Sequence, residues 1–545
     1  MQMKPRAMLV VANRENRSTV RQVRARVRVP ARPAPGPAPL ASLGLRPWLR
    51  QLAVILCLFV GLYSVSVASN AGAASRTMAQ PAVASAGSDV VAQWLAAPAM
   101  RDARVALIAS PLGGGPALLE HQSSLPLNPA SAIKLLTSHA ALSMLGPDYR
   151  WQTGAYLDGE LRDGVLHGNL VLKGGGDPKL VIEDLQQFVA AMRAAGLQEV
   201  RGDLIIDDSV FEVGEASVEA FDGDPTQPYN VRPFGLLMNF KATRVVVHPG
   251  QGRAAQISLD PALDGVKIEN RLKLRDGHCR RGQDVLSVSE PQAEQPGKGV
   301  GQASGVPRLI VSGSYSPACG EIGAFVSVLS HRAFIDALFR AAWREAGGRW
   351  DGRTRVVRGA ARAEPWLRWE SPRTLADVVR DINKFSNNVM SRQLLLQLGH
   401  EAGARPADVS SARAALHAWL ASQSLNLPGL LVDNGSGLSR SARISAAGMA
   451  QVLEHAARSR HAELLRDSLP VLGMDGTMRY RMAGESLAGR AWIKTGSLAD
   501  VRTIAGYLDA KSGTRYVVVL LYNGPQPAEA RRLQDDFLRW VYRHG

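Results

Sequence analysis

The stretch "NPASAIKLL", residues 128–136, sets Ser131 and Lys134 three positions apart, where apolar residues begin to recur at helical spacing through "SAIKLLTSHAALSML". A Ser-x-x-Lys pattern arises about once by chance in a chain of this size, so the pair decides nothing alone. Its weight comes from two later motifs and their order. "KFSNN" holds Ser386, Asn387 and Asn388, and "WIKTGS" holds Lys494, Thr495, Gly496 and Ser497. The ordered triple Ser-x-x-Lys, Ser-x-Asn, Lys-Thr-Gly is specific because each member has the expected setting. The first opens a helix, the second follows a helical stretch, and the third precedes a strand pattern.

These residue types fit one chemistry. A serine hydroxyl is a poor nucleophile until a neighbouring base takes its proton. Ser131 and Lys134, on one helix face, can hydrogen-bond. With Lys494 nearby and water partly excluded, the Lys134 ammonium is disfavoured and a neutral amine can serve as base. The helix N-terminus at Ser131 aims backbone N–H groups at a reacting carbonyl. Ser386 can relay a proton to a leaving amine, and Asn388 can hold a substrate amide. Lys494 and Thr495 offer a cation and a hydroxyl to a terminal carboxylate. Gly496 admits a substrate backbone to a strand edge, and the Ser497 N–H completes an oxyanion hole with that of Ser131.

The bulk numbers fit an exported protein of several domains. The 545 residues, 46% hydrophobic, can bury a large core in more than one domain. The net charge of +16 is concentrated at the front, where eleven Lys/Arg and Glu15 precede residue 51. The mild remainder calls for no nucleic acid. That basic front, the apolar run "LAVILCLFVGLYSVSVA" (52–68) and the small residues "SNAGAAS" have the order of a secretory signal, with cleavage expected after Ala73. A retained membrane anchor is the competing reading, but the run is short for a span. Cys57 falls inside the signal, which leaves Cys279 and Cys319. An even count in an oxidising compartment favours a disulfide, with two free buried thiols as the alternative. No His or Cys spacing suits a metal, and no cofactor is expected.

Residues 74–87, rich in Ala, Ser, Pro and Gly, read as a linker. "ARVALIASPLGGGPALLEHQ" reads as a hairpin turning at Gly113–Gly115, since no Gly-Lys-Ser/Thr follows those glycines. Stretches 249–326 read as loop-rich, with "EPQAEQPGKGVGQASG" the most mobile part. The chain ends in two strand patterns, "TIAGYLDA" and "TRYVVVLLY", and an amphipathic helix.

"LNPASAIKLLTSHAALSMLGPDYRWQT", "LVLKGGGDP", "DNGSGLSRSARIS", "GMDGTMRYRM" and "IKTGSLADVRTIAGYL" together resemble, in order, the low-molecular-mass class C penicillin-binding proteins. These are D-alanyl-D-alanine carboxypeptidase/endopeptidases of the penicillin-binding protein 4 type. The 255 positions from Ser131 to Ser386 exceed what a simple serine β-lactamase has. The resemblance accounts for them by two inserted domains. It implies an α+β fold: a transpeptidase/β-lactamase-like five-stranded antiparallel sheet with helices on both faces, built from 88–152 and 350–545. The insertion would run from 153 to 349 as two nested β-rich modules, the inner one at about 175–241. It also implies a periplasmic serine D,D-peptidase, acylated on Ser131, that acts on peptidoglycan stem peptides and binds β-lactams. Membrane contact would come only through the signal segment. A serine β-lactamase is the first alternative, but the Glu-x-x-Leu-Asn stretch of class A is absent and class C has Tyr where Ser386 stands. A non-catalytic cell-wall binding or sensor module is the second. "GGGDP" (174–178) is read as a structural turn, His139 as a packing residue, and Asn434 as a loop variation remote from the chemistry.

Overall fold

The computed structural model describes residues 80–213, 221–250, 255–279, 286–289 and 306–545. The expected signal segment and the stretch 290–305 lie outside these residues. A helix, Gln80–Leu95, includes the second half of the segment read as a linker.

Alternation within one strand explains the central layer. In Arg515–Asn523 the run from Val517 to Tyr522 is apolar at every position and fully buried. Val517, Val519 and Leu521 face one core, whereas Val518, Leu520 and Tyr522 face another. Only a strand covered on both sides satisfies such a sequence. It lies in the middle of a five-stranded antiparallel sheet ordered Ala491–Ser497, Val501–Asp509, Arg515–Asn523, Arg104–Pro111, Leu119–His121. The last two strands are the hairpin read from the sequence, with Leu107 opposite His121. On one face Phe537, Leu538 and Val541 of the terminal helix Pro527–His544 complete a core with Ile504 and Leu508. On the other lies the helix Lys134–Leu145, whose residues from Lys134 to Leu142 are all buried, together with the helix Ala446–Arg458. A helix buried all round belongs to a core rather than a surface. His139 is part of that packing, its Nε2 2.8 Å from His455 Nδ1 and its ring edge-on to Trp419.

The inserted segment is divided differently from expectation. Gln152–Arg162 and Val165–Lys173 form a hairpin that Glu199–Val200 and Leu204–Asp207 extend in parallel. The chain returns to the same sheet with Arg349–Trp350, Thr354–Val356 and Leu367–Glu370. Residues 350–370, expected in the second catalytic segment, therefore pair with the insertion. The nested part is 243–326 rather than 175–241. It holds two three-stranded sheets, one of Thr243–Pro249 with Ala255–Asp260 and Ile322–Val326, the other of Lys267–Leu274, Leu286–Ser289 and Arg308–Tyr315. Lys267–Leu274 exposes residues on both faces, so the alternating apolar signal that marks a strand is weak there and it reads as loop. Cys279 and Cys319 are joined as a disulfide in this nested part.

Candidate functional site

The turn bearing Ser131 is fixed before the helix begins. Asn128 Oδ1 accepts from the Ala130 N–H at 2.9 Å, while the Asn128 side-chain amide donates to the Ser439 carbonyl at 2.9 Å. Its backbone exchanges hydrogen bonds with the Asn523 side chain. Thr503 Oγ1 donates to the Pro129 carbonyl at 2.8 Å. Ala130 takes φ +43°, and the chain then makes a 3-10 turn, Ala130–Ile133, ahead of the α-helix that starts at Lys134. In a 3-10 turn residues three apart eclipse one another, which lines the Lys134 side chain up with Ser131 more closely than an α-helix would.

Lys134 is completely buried and, among the described residues, has no carboxylate partner. Its Nζ lies 2.9 Å from Ser131 Oγ and 2.7 Å from Asn388 Oδ1, and it also meets the Ser436 carbonyl. Burial, then the charges of Lys494 and Arg392, hold this amine well below the usual lysine range. Lys494, equally buried, donates to Ser386 Oγ at 2.8 Å and to the Thr495 carbonyl at 3.0 Å. Burial alone brings it down to about 7.

Ser386 reaches this point because it breaks a helix. The sequence reads as one helical stretch from Leu375, but Ser386 sits at φ +58°, ψ +34° between the helices Leu375–Phe385 and Asn388–Glu401. The Asn387 side chain caps the second helix by accepting from the Met390 N–H at 3.1 Å. The Lys-Thr-Gly motif lies on a strand itself, the outer strand of the central sheet, beyond the point where Ala491–Ile493 bond to residues 470–472. A Cβ on Gly496 would stand 2.2 Å from Thr503 Oγ1, 2.7 Å from the Pro129 carbonyl oxygen and 2.9 Å from the Ser131 nitrogen. The absent side chain is what lets the strand and the Ser131 turn meet. Ser497, next along the strand, is exposed. Three contacts join the motifs: Lys134 meets Asn388, Lys494 meets Ser386, and Gly496 packs against the Ser131 turn; the two cysteines lie elsewhere.

Several contributors escape motif reading. The Ser436 carbonyl faces Lys134 because Asn434 shapes its loop, accepting from the Ser436 N–H and hydroxyl and donating to the Leu438 carbonyl. Asn434 is therefore one residue pair from the chemistry. Gly437, at φ +78°, presses on the Ala130 carbonyl, where a Cβ would sit 1.9 Å away. Arg392 donates to the backbone of Asn230 and Val231, and the Asn388 amide donates to the Tyr229 carbonyl at 3.2 Å. The inserted segment 221–231 thereby forms one wall of the pocket. Thr477 lies 2.9 Å, hydroxyl to hydroxyl, from Thr495. The quoted segments "DNGSGLSR" and "GMDGTMRYRM" carried the only signal for the Asn434, Gly437 and Thr477 contacts; nothing in the sequence pointed to Tyr229. Among the described residues no group of His, Cys, Asp and Glu could hold a metal ion, and no helix is long and apolar enough to cross a membrane.

The profile of the D-Ala-D-Ala carboxypeptidase 3 (S13) family matches residues 88–543. The chain belongs to this family. It is a serine D,D-peptidase, of the penicillin-binding protein 4 type. It is 26% identical to a D-alanyl-D-alanine carboxypeptidase of an Actinomadura species over 454 residues, which are 79% of this chain and 80% of that one. It is 23% identical to the corresponding Haemophilus influenzae enzyme over 428 residues, 77% and 85% of the two chains. The crystal structure of penicillin binding protein 4 from Haemophilus influenzae superposes with a TM-score of 0.68 at 21% identity, covering 81% of this chain and 97% of that one. The family's fold is therefore the fold described above.

Proposed function

We propose that Ser131 is the acylated nucleophile and Lys134 its base in the cleavage of D-Ala-D-Ala and of D,D-cross-links of peptidoglycan. The observation that carries this reading is the buried, depressed Lys134 amine 2.9 Å from Ser131 Oγ, without a carboxylate partner. As a neutral amine Lys134 has two N–H donors, which Asn388 Oδ1 and the Ser436 carbonyl accept, and one lone pair left for the Ser131 proton. Ser131 Oγ attacks the carbonyl of the penultimate D-Ala, and the oxyanion is held by the N–H groups of Ser131 and Ser497. The proton that Lys134 took from Ser131 passes by way of Ser386, which Lys494 hydrogen-bonds, to the leaving amine, and Lys134 is neutral again. Thr495 and Lys494 hold the substrate's free carboxylate. Gly496 leaves the strand edge open for the substrate backbone to add as a further strand. Water then releases the acyl group, with Lys134 again as base.

A β-lactam enters the same path, its strained amide taking the place of the peptide, and no dedicated carboxylate speeds deacylation. The enzyme works in the periplasm, reached through the signal at 1–73; the disulfide in the insertion suits that oxidising compartment. Fluorescent penicillin should label the wild-type protein at Ser131, found by mass analysis of peptides, and should not label Ser131→Ala. Many turnovers per second without a trapped adduct would make it a β-lactamase. No labelling at all would overturn the mechanism. Defined muropeptides, with products identified by mass, separate carboxypeptidase from endopeptidase cleavage.

A further inference from the structure

A second cleft, of about 550 Å³, opens where the inserted sheet meets the helical part of the catalytic fold. Its charged lining has one sign: Lys173, Arg368 and Arg405 surround His400, and no carboxylate lines it. Acidic side chains act on it only from outside the lining, Asp207 and Glu364 on Tyr156 and Glu401 on His400. Glu364 pairs with Arg368 at 3.0 Å from an almost fully exposed position, and Glu401 accepts from Tyr149 and Gln397. Among the described residues neither Lys173 nor Arg405 has a carboxylate within ion-pair distance. Arg405 donates from one guanidinium nitrogen to the carbonyls of His400 and Ala404, which leaves the rest of its fork free. His400 Nδ1 is buried beside the Ala404 backbone. Burial, then Arg405, lower the pKa of this imidazole; Glu401 opposes them and Lys173 adds a weaker lowering, so both cations act on the same small space. Gathering such charges in a half-enclosed recess carries a repulsion that a bound oxyanion relieves.

The cleft is separate from the catalytic pocket. Phe211 and Ala407 bridge the insertion to the catalytic fold, and Ala407 N–H donates to Val210 while Glu212 N–H donates to Ala407. Val210 and Pro406 line the cationic cleft, whereas Glu212 and Asp408 line the cleft beside the catalytic residues, on the far side of that bridge. The helix Asn388–Glu401 links the two, from Asn388 at the reaction to His400 in the cleft, a span of about 18 Å at 1.5 Å per residue. Roughly five extended residues cover that distance.

We propose that this cleft binds carboxylate groups of the peptidoglycan polymer away from the bond being cleaved, so that the enzyme holds a cell-wall segment as well as a scissile tip. The choice of a peptide carboxylate over a membrane phosphate follows from the lining. Gln152, Ser209 and Tyr156 supply peptide-like hydrogen bonding, and among the described residues no exposed large apolar side chain lies there to enter a lipid layer. The identity of the polymer rests on the D,D-peptidase reading; the preference for an oxyanion does not.

The test compares the full exported protein with its Lys173→Gln/Arg405→Gln variant in co-sedimentation with purified insoluble peptidoglycan, before and after carbodiimide amidation of its carboxylates. The variant should bind native polymer about five- to tenfold more weakly at low salt, as two exposed ion pairs imply. The wild type should lose the same factor on amidated polymer, while penicillin acylation and hydrolysis of a small D-Ala-D-Ala peptide stay unchanged in the variant. Equal binding by wild type and variant, or indifference to amidation, overturns the proposal. So does a variant that binds peptidoglycan normally but loses binding to phosphatidylglycerol vesicles, which would assign the cleft to a lipid phosphate. Failure of penicillin to label the wild type would sink the catalytic reading instead and leave the sedimentation comparison intact.

Discussion

Replacing Gly496 by alanine adds one methyl group at the point where strand and nucleophile turn touch. That Cβ would lie 2.2 Å from Thr503 Oγ1, 2.7 Å from the Pro129 carbonyl and 2.9 Å from the Ser131 nitrogen. The hydroxyl can rotate away only by giving up its 2.8 Å hydrogen bond to Pro129. The other two atoms are backbone, so the Ser131 turn and the strand must part by about half an ångström to restore van der Waals contact. A misplacement of about 1 Å at reacting groups costs roughly 100-fold, so acylation should fall by about ten- to a hundredfold. Overpacking at a buried site should cost about 1–3 kcal/mol as well. The assay is the second-order rate of labelling by fluorescent penicillin, with a thermal melt on the same sample. Thr503→Ala alone should cost about 1 kcal/mol for its lost hydrogen bond. Combined with Gly496→Ala it should recover only part of the rate, because the backbone contacts remain. A Gly496→Ala protein that acylates at the wild-type rate with an unchanged melting temperature would refute this account of why the motif ends in glycine.

Lys134→Arg, unable to lose its proton at ordinary pH, should abolish acylation. Lys494→Arg should retain a measurable rate and Lys494→Ala should lose carboxylate-ended substrates most; two equally dead Arg variants would cancel this division of roles. Arg392 disfavours the protonated form of Lys134, so Arg392→Gln should raise the pKa of that base. The acid limb of the acylation profile, where the rate falls as Lys134 gains its proton, should then move to higher pH; an unmoved or lowered limb would remove Arg392 from the electrostatics. Cys279→Ser/Cys319→Ser opens a link between residues 40 apart and should destabilise the insertion by roughly 3–4 kcal/mol in denaturant unfolding, with penicillin labelling intact.

How much of this was legible varies from element to element. The strand Arg515–Asn523 could be read directly, because a continuous apolar run flanked by turn residues is a strand buried on both faces. Lys267–Leu274 in the nested module was not, because a strand exposed on both faces loses the alternation that betrays it. That residues 350–370 pair with the insertion is hidden for a related reason. Short segments such as Arg349–Trp350 acquire their place only by pairing with Glu199–Val200, about 150 positions earlier.

At the site the same division holds. By itself the sequence determined which side chains could do the chemistry, and in what order they occur, because nucleophile, base, relay and carboxylate clamp require particular functional groups at short local spacings. Only the tertiary structure decided what makes them reactive. The proposed base, Lys134, needs its water removed, a second buried lysine beside it and acceptors from Asn388 and Ser436, which lie 254 and 302 positions away. No local pattern encodes such an environment: desolvation and Coulomb fields depend on distance through space, and the chain sets that distance only once both cores and the inserted wall at Tyr229 have closed around the pocket.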